Sequence, residues 1–358
     1  MHDQLLLGIL AVGIGVVVGV LAFVPYVAIA YRRHGRLTAW RVVVPFAALI
    51  YGIAVWTYTL LPLPDPDEVR CKGTNLNPGE FVHDIAGAVG RGHPLTDPAV
   101  LQLVLNVLLF VPLGVFVRLL WRRGVLVSLA AGFGLSLLIE LTQLTGVWGL
   151  YPCAYRVFDV DDLLTNTAGA VLGSLLSLAL PASWRLDAAD AAAAARPIPV
   201  TRGRRLLAMV VDAMSVLLIT ASVQIAVGGV VILLLEADPS SRLLAVLGIV
   251  MPAVPFVLTA IPALATGRTI GDAAVRLRYA GSPYPLWLAR ALRFLGGIGG
   301  IQLLAAFSGD SVWYLLALLA SLVAVFATGG GRGLPGLLSR QRLEDARSDA
   351  AGLSASRR

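Results

Sequence analysis

The sequence predicts an all-α integral membrane protein, a polytopic bundle of about nine transmembrane helices in two modules, because a spanning helix needs roughly 20 apolar residues at 1.5 Å rise each. Three observations carry that expectation. Of 358 residues, 58% are hydrophobic and 14% charged, whereas a soluble domain carries roughly a quarter charged residues. Mean hydropathy is +0.82. The apolar residues fall into long runs separated by arginine-bearing loops.

The runs are Leu5–Tyr31, Val42–Leu61, Ala99–Trp121, Val125–Thr145, Leu163–Leu180, Leu206–Leu235, Leu243–Ala265, Leu288–Phe307 and Val312–Thr328. Helices are expected because backbone groups in lipid must be satisfied within the segment. The first run is too long for a signal-peptide core, and no Lys or Arg precedes it, so it reads as a retained span. The sixth is long enough to tilt or to break at Gly228-Gly229.

The basic residues set an orientation. Alternate loops hold only Arg70, Lys72, Arg91, Arg156 and Arg242, while the remaining arginines occupy the other side. The N-terminus is therefore expected outside and the C-terminus in the cytoplasm. A net charge of +7 does not point to nucleic acid, because the charges are dispersed between apolar runs. Cys71 and Cys153 both fall in loops assigned to the exterior, where an oxidising compartment permits a disulfide; two free thiols are the alternative.

Residues 1–41 form an extra N-terminal helix and basic loop, and residues 42–185 a first module. Residues 186–203, with LDAADAAAAARPIPV at their core, form a cytoplasmic linker whose Pro197 and Pro199 disfavour a continuous helix. A second module covers 204–331, and the Gly-, Ser- and Arg-rich tail, 332–358, is expected to be disordered.

Three spans of the first module carry polar stripes. Gln102, Asn106, Phe110 and Gly114 step by four; Gly132, Ser136, Glu140 and Gln143 by four, four and three; Asp159, Asp162, Asn166, Gly169 and Gly173 by three, four, three and four. Such spacing puts each set on one helix face, which must meet protein or water, not acyl chains. Gly169 and Gly173 form a small-xxx-small packing surface. Glu140 needs a partner, a proton or a water path. It lies about 7 Å from the outer end of its span and Asn106 about 10 Å deep, at helical rise. The polar groups thus gather beneath the loop bearing Arg156, Asp159, Asp161 and Asp162, with Arg156 the expected ionic partner of Glu140 or an aspartate. One exterior-facing pocket is expected; a buried network that only holds helices in register is the plainer alternative.

NVLLFVPLG (106–114), IELTQL (139–144) and RVFDVDDLLTNTAGAVLG (156–173) resemble the VanZ-like family, and YGIAVWTYTLLPLP (51–64) resembles its first span, so the likeness covers about residues 42–181. It implies a cell-envelope role connected to tolerance of teicoplanin-type glycopeptides. The positions that carry over are Asn106, Glu140, Gln143, Arg156, Asp159, Asp162 and Asn166.

The second module opens on R-x-x-A-x-x-x-D, with Arg205 and Asp212 on one face about two turns apart. Arg205 can snorkel to the surface while Asp212 lies inward; an intramembrane Asp is a functional candidate, or a structural tie to Arg205 or another helix. With GRTIGDAAVRLRY this stretch, about residues 200–330, resembles the RDD family, although Asp272 stands where that family is usually basic and the second acidic position is not placed. The resemblance implies at most transport.

No phosphate-binding loop, nucleophile elbow or H-E-x-x-H motif occurs. His83 and His93 lack metal-site spacing, and no cofactor is expected. The reading that follows is a non-enzymatic cell-envelope protein whose partners are membrane lipids or a lipid-linked envelope precursor. An ion-coupled transporter using Asp212 and Glu140, and an intramembrane lipid-modifying enzyme, stay open.

Overall fold

Long apolar runs flanked by capping residues dictate helices, and helices dominate the computed structural model. It describes residues 2–92, 94–186, 191–231, 250–307 and 311–348. The helices are α1 (His2–His34), α2 (Ala39–Leu60), α3 (Glu80–Gly90), α4 (Pro98–Trp121), α5 (Val125–Leu144), α6 (Val160–Leu176), α7 (Ala191–Ala195), α8 (Arg202–Gly229), α9 (Ala253–Thr266), α10 (Ile270–Ala274), α11 (Leu286–Leu295), α12 (Ile298–Phe307), α13 (Ser311–Ala327) and α14 (Gly333–Leu338). Four short strands complete it: β1 (Thr74–Asn75), β2 (Phe158–Asp159), β3 (Leu277–Ala280) and β4 (Arg342–Asp345).

The protein is a helical membrane protein. Five helices are long and apolar enough to cross a bilayer: Ile9–His34, Ala39–Leu60, Pro98–Trp121, Val125–Leu144 and Arg202–Gly228. A sixth results if α11 and α12, bent by 54° at their junction, count as one span. Nine spans are thus not reached among the described residues. The expected fifth span is the 17-residue α6, which opens on Val160-Asp161-Asp162, and α9 and Val312–Ala327 are apolar but shorter. The end of the expected sixth span and the start of the seventh lie outside the described residues.

The chain divides into two units, Met1–Gly19 with Thr38–Ala188, and Val20–Leu37 with Ala189–Arg358. In the first, α4, α5 and α6 pack around Val55, Phe110, Ile139 and Ala170. Glycines set the α4–α6 spacing. A Cβ on Gly114 would lie 1.9 Å from the Ala170 carbonyl oxygen, one on Gly169 2.2 Å from that of Val107, and one on Gly173 1.9 Å from that of Val111. The small-residue stripe therefore brings backbone against backbone, with dispersion contacts along the whole crossing. Asp97 starts α4 by accepting from the Ala99 N–H, with Pro98 at the first helical position, and Asp159 starts α6 by accepting from the Asp161 N–H. Both follow the preference of helix starts for short acceptor side chains and for proline.

Two connections of this unit are tied together. Cys71 and Cys153 are bonded, with sulfurs 2.03 Å apart, and β1 and β2 pair in parallel, Thr74 opposite Phe158. Asp161 reaches across to α3, its carboxylate accepting from the Gly79 N–H at 2.7 Å and the Phe81 N–H at 2.9 Å. It thereby supplies the first turn of α3 with acceptors that Gly79, lacking a side chain, cannot provide.

In the second unit Val27 and Tyr31 of α1 pack with Ala208, Val211, Ala274, Val275 and Leu277. The tail, expected to be disordered from residue 332, is instead folded through Ser348: α14 is followed by β4, antiparallel to β3 with Leu277 opposite Asp345. The reason is one buried carboxylate. Asp345 accepts from Arg204 at 2.7 Å and from the Arg347 guanidinium at 2.5 and 2.8 Å. Arg204 also donates to the carbonyls of Val275 at 2.8 Å and Arg276 at 2.7 Å. The Ala-rich segment of the expected linker supplies α7, where the Ala194 carbonyl accepts from Arg347 at 2.9 Å. Burial pushes the Asp345 carboxyl up, but hydrogen bonds from the Arg347 side chain and backbone and from Arg204 outweigh it and hold the group well below the ordinary carboxylate range.

Two predictions follow from this packing. Gly173→Ala gains about 1 kcal/mol of helix propensity but forces α4 and α6 apart, an overpacking cost of about 1–3 kcal/mol or more; its unfolding temperature in micelles falls, whereas that of Gly134→Ala, where a Cβ meets nothing within 4 Å, does not. For Asp345 the folded value is depressed, so its stabilisation is fully present above the unfolded value of about 3.9 and is lost progressively as pH falls from there through the lower folded value. Pepsin should leave the β4 segment intact near pH ~4 and cut it in stronger acid, while in Asp345→Asn trypsin cuts there at neutral pH.

Candidate functional site

The polar stripes of α4, α5 and α6 meet. Asn106 donates from Nδ2 to Asp162 Oδ1 at 2.6 Å. Asn166 donates from Nδ2 to Ser136 Oγ at 2.9 Å, and Ser136 in turn approaches the Asp162 carbonyl at 3.5 Å. Glu140, only 3% exposed, accepts the Asp159 backbone N–H at 3.1 Å. Gln143 reaches α2, donating to the Thr59 carbonyl at 2.8 Å. Each link joins two elements, so the stripes act as fasteners as well as lining. A buried carboxylate without such donors would cost several kcal/mol.

Between these groups lies a cavity of about 620 Å³. All seven residues singled out from the sequence in this module line it: Asn106, Glu140, Gln143, Arg156, Asp159, Asp162 and Asn166. Tyr58, Thr59 and Gln102 contribute further polar groups, and Leu105, Leu108, Leu109, Ile139 and Val157 an apolar wall. The expected ion pair of Arg156 is not formed. Its guanidinium lies 3.5 Å from the Leu61 carbonyl, and no ion pair among the described residues includes it. The chain geometry explains this: Arg156 precedes β2 on the exposed side of the loop, while Glu140 already has the backbone N–H of Asp159.

Tyr155 and Tyr151 anchor the same loop, donating to the carbonyls of Leu60 at 3.2 Å and Pro64 at 2.9 Å. They brace the end of α2 that carries Tyr58 and Thr59 into the cavity lining. A second, smaller cavity of about 190 Å³ shares Gln102, Asp159 and Asp162 with the first and adds Asn75, Glu80, Asp84 and Asp161. Among the described residues no group of three or more His, Cys, Asp or Glu is disposed to hold a metal ion; His93 lies outside them.

In the second unit Arg205 and Asp212 are both buried, but they are not bonded to each other. Arg205 pairs with Asp272 at 2.8 Å. Asp212 accepts from the Thr269 hydroxyl at 2.8 Å and the Gly271 N–H at 2.6 Å. Of the two ties open to Asp212, to Arg205 or to another helix, the one formed is to the start of α10, and Arg205 is tied to the same helix. Asp272, noted in the sequence only as out of place, is the second carboxylate. Arg293 also approaches it at 3.5 Å, and the guanidinium groups of Arg205 and Arg293 lie 5.5 and 5.2 Å from the Tyr279 ring centre, within cation–π range. Close packing makes this possible: a Cβ on Gly271 would lie 2.0 Å from the Ala208 carbonyl oxygen. Arg205, Asp212 and Ser321 line a small cavity of about 80 Å³ that is otherwise mostly apolar.

Sequence spacing identifies the stripes but not the roles of four further residues. Tyr58 and Thr59 sit at an apolar helix end, and their role depends on where α2 docks. Ser136 lies on its stripe, but spacing alone does not show that it joins α5 to Asn166 of α6. Asp161 falls off the α6 stripe, and that displacement was the available signal for its separate task at α3.

Asn106 is the side-chain donor to Asp162, so Asn106→Ala leaves a half-buried carboxylate short of a hydrogen bond. The expected loss is about 1–3 kcal/mol of stability, and Asn106→Asp should cost more by adding a like charge; chemical unfolding of the purified protein in micelles measures both.

Residues 46–181, the segment that holds this cavity, match the VanZ/LLP1 family. No curated protein and no solved structure matches the chain.

Proposed function

We propose, from that family match and the cavity it encloses, that the chain is a multi-span protein of a bacterial plasma membrane whose first unit takes up the polar head of an envelope lipid or lipid-linked glycan. The observation that carries this reading is the convergence of amides, carboxylates and one guanidinium from α4, α5, α6 and the β2 loop onto one cavity with an apolar wall. Ligand sites combine these features, an apolar lining with a few convergent polar groups. The arginine asymmetry along the sequence supports an external opening, with the N-terminus outside and the C-terminus in the cytoplasm.

Binding without chemistry fits the lining best. It holds no Cys, His or Ser, and the Thr59 hydroxyl donates to the Val55 carbonyl at 2.8 Å. In the second unit the RDD-like pair, Arg205 and Asp212, is engaged by α10, which supports a structural role for both. The family likeness supports a place in glycopeptide tolerance.

The test compares Glu140→Ala and Arg156→Ala with a deletion strain at equal expression. Both variants should shift sensitivity to a teicoplanin-type glycopeptide toward that of the deletion. A clear deletion phenotype with both variants indistinguishable from the parent overturns the reading.

A further inference from the structure

We infer that the head this cavity recognises is an uncharged, hydroxyl-rich group such as a sugar, carried on an apolar tail, and that it is not a phosphate. The inference rests on the headgroup reading above and specifies its chemistry.

The first argument is charge. Three carboxyl side chains, Glu140, Asp159 and Asp162, face the same space as one guanidinium, that of Arg156. A phosphate entering it meets more like than opposite charge, in surroundings where water screens poorly. A sugar carries no charge to repel.

The second argument is hydrogen-bond polarity. Three of the cavity's amides commit an N–H to protein acceptors: Asn106 to Asp162, Asn166 to Ser136 and Gln143 to the Thr59 carbonyl. Asn166, 7% exposed, keeps its Oδ1 buried with no hydrogen-bond partner. Such an orphan acceptor is costly, and a small turn of the amide would present it to a donor in the cavity. Each of these amides keeps its second N–H, so the lining offers donors as well as the carboxylate and amide acceptors. A phosphate ester at neutral pH only accepts, whereas each sugar hydroxyl both donates and accepts.

The third argument locates the tail. Leu105 and Leu108 line the cavity yet remain 57% and 56% exposed, so one side of the cavity is bounded by side chains that also form the outer surface of α4. In a bilayer that surface meets acyl chains, which places an attached lipid tail beside the head without burying it in the protein.

The experiment uses the full-length protein in nanodiscs of phosphatidylcholine doped with one probe at a time: monoglucosyl diacylglycerol, phosphatidylglycerol or plain diacylglycerol, with binding read by native mass spectrometry. The glucosyl lipid should bind at least tenfold more tightly than either other probe. Phosphatidylglycerol has hydroxyls but a charged phosphate, and diacylglycerol lacks the sugar, so the two controls separate charge from donor content. Glu140→Gln and Asp162→Asn, checked for folding by circular dichroism and gel filtration, should narrow the discrimination against phosphatidylglycerol several-fold. Leu105→Trp should weaken the glucosyl lipid. Phosphatidylglycerol binding as tightly as the glucosyl lipid, or more tightly, overturns the inference and leaves the headgroup reading standing. Failure of the folded parent protein to bind any probe overturns the headgroup reading and the inference with it.

Discussion

The first unit depends on the approach of α4 to α6 at backbone distance. Gly114, Gly169 and Gly173 remove the side chains that would separate the two helices, and carbonyl oxygens occupy the vacated space. In lipid this contact gains little from the hydrophobic effect, because acyl chains are as apolar as leucine; shape and polar ties must hold the helices together. The polar ties follow directly. Once the backbones are close, Asn106 can reach Asp162 with a short side chain, and Ser136 can bridge Asn166 to the next helix. The same stripes that fasten the helices then line the cavity, so helix packing and the cavity wall share residues.

The second unit solves the problem of buried charge differently. Two of its buried carboxylates are matched to arginines, Asp272 to Arg205 and Arg293, and Asp345 to Arg204 and Arg347, while Asp212 is held by a hydroxyl and a backbone N–H. Removing one member of such a set costs more than the set contributes, since the other is left unpaired in a poorly screened interior. In the cavity of the first unit, Asp162 is met by the Asn106 amide and Glu140 by a backbone N–H, and the one guanidinium of the lining is that of Arg156.

Much of this was legible in the sequence, and the limits have physical causes. Helical periodicity identified the faces of α4, α5 and α6, because three- and four-residue steps fix angular position on a cylinder. It could not say that Arg156 stays apart from Glu140, since the loop path depends on tyrosine anchors at 151 and 155 that hydrogen-bond carbonyls at the far end of α2. Nor could it pair Arg205 with Asp272, residues 67 apart, when Asp212 stood nearer on the same helix. Composition misjudged the tail: a Gly- and Arg-rich stretch reads as unstructured until one sees that Arg204 lies waiting for Asp345. Span counting was weakest where polar residues shorten a helix, as in α6.

The distance along the chain between Arg204 and its acid, 141 residues, has a consequence for biosynthesis. A ribosome delivers α8 to the membrane long before it reaches β4. Until then the guanidinium must stay hydrated or borrow a temporary counter-ion, and it cannot settle beneath Tyr31. Completion of the second unit is therefore a late event, gated by translation of a few residues near the carboxyl end, and nascent chains interrupted before them would present an unfinished basic face to quality-control proteases.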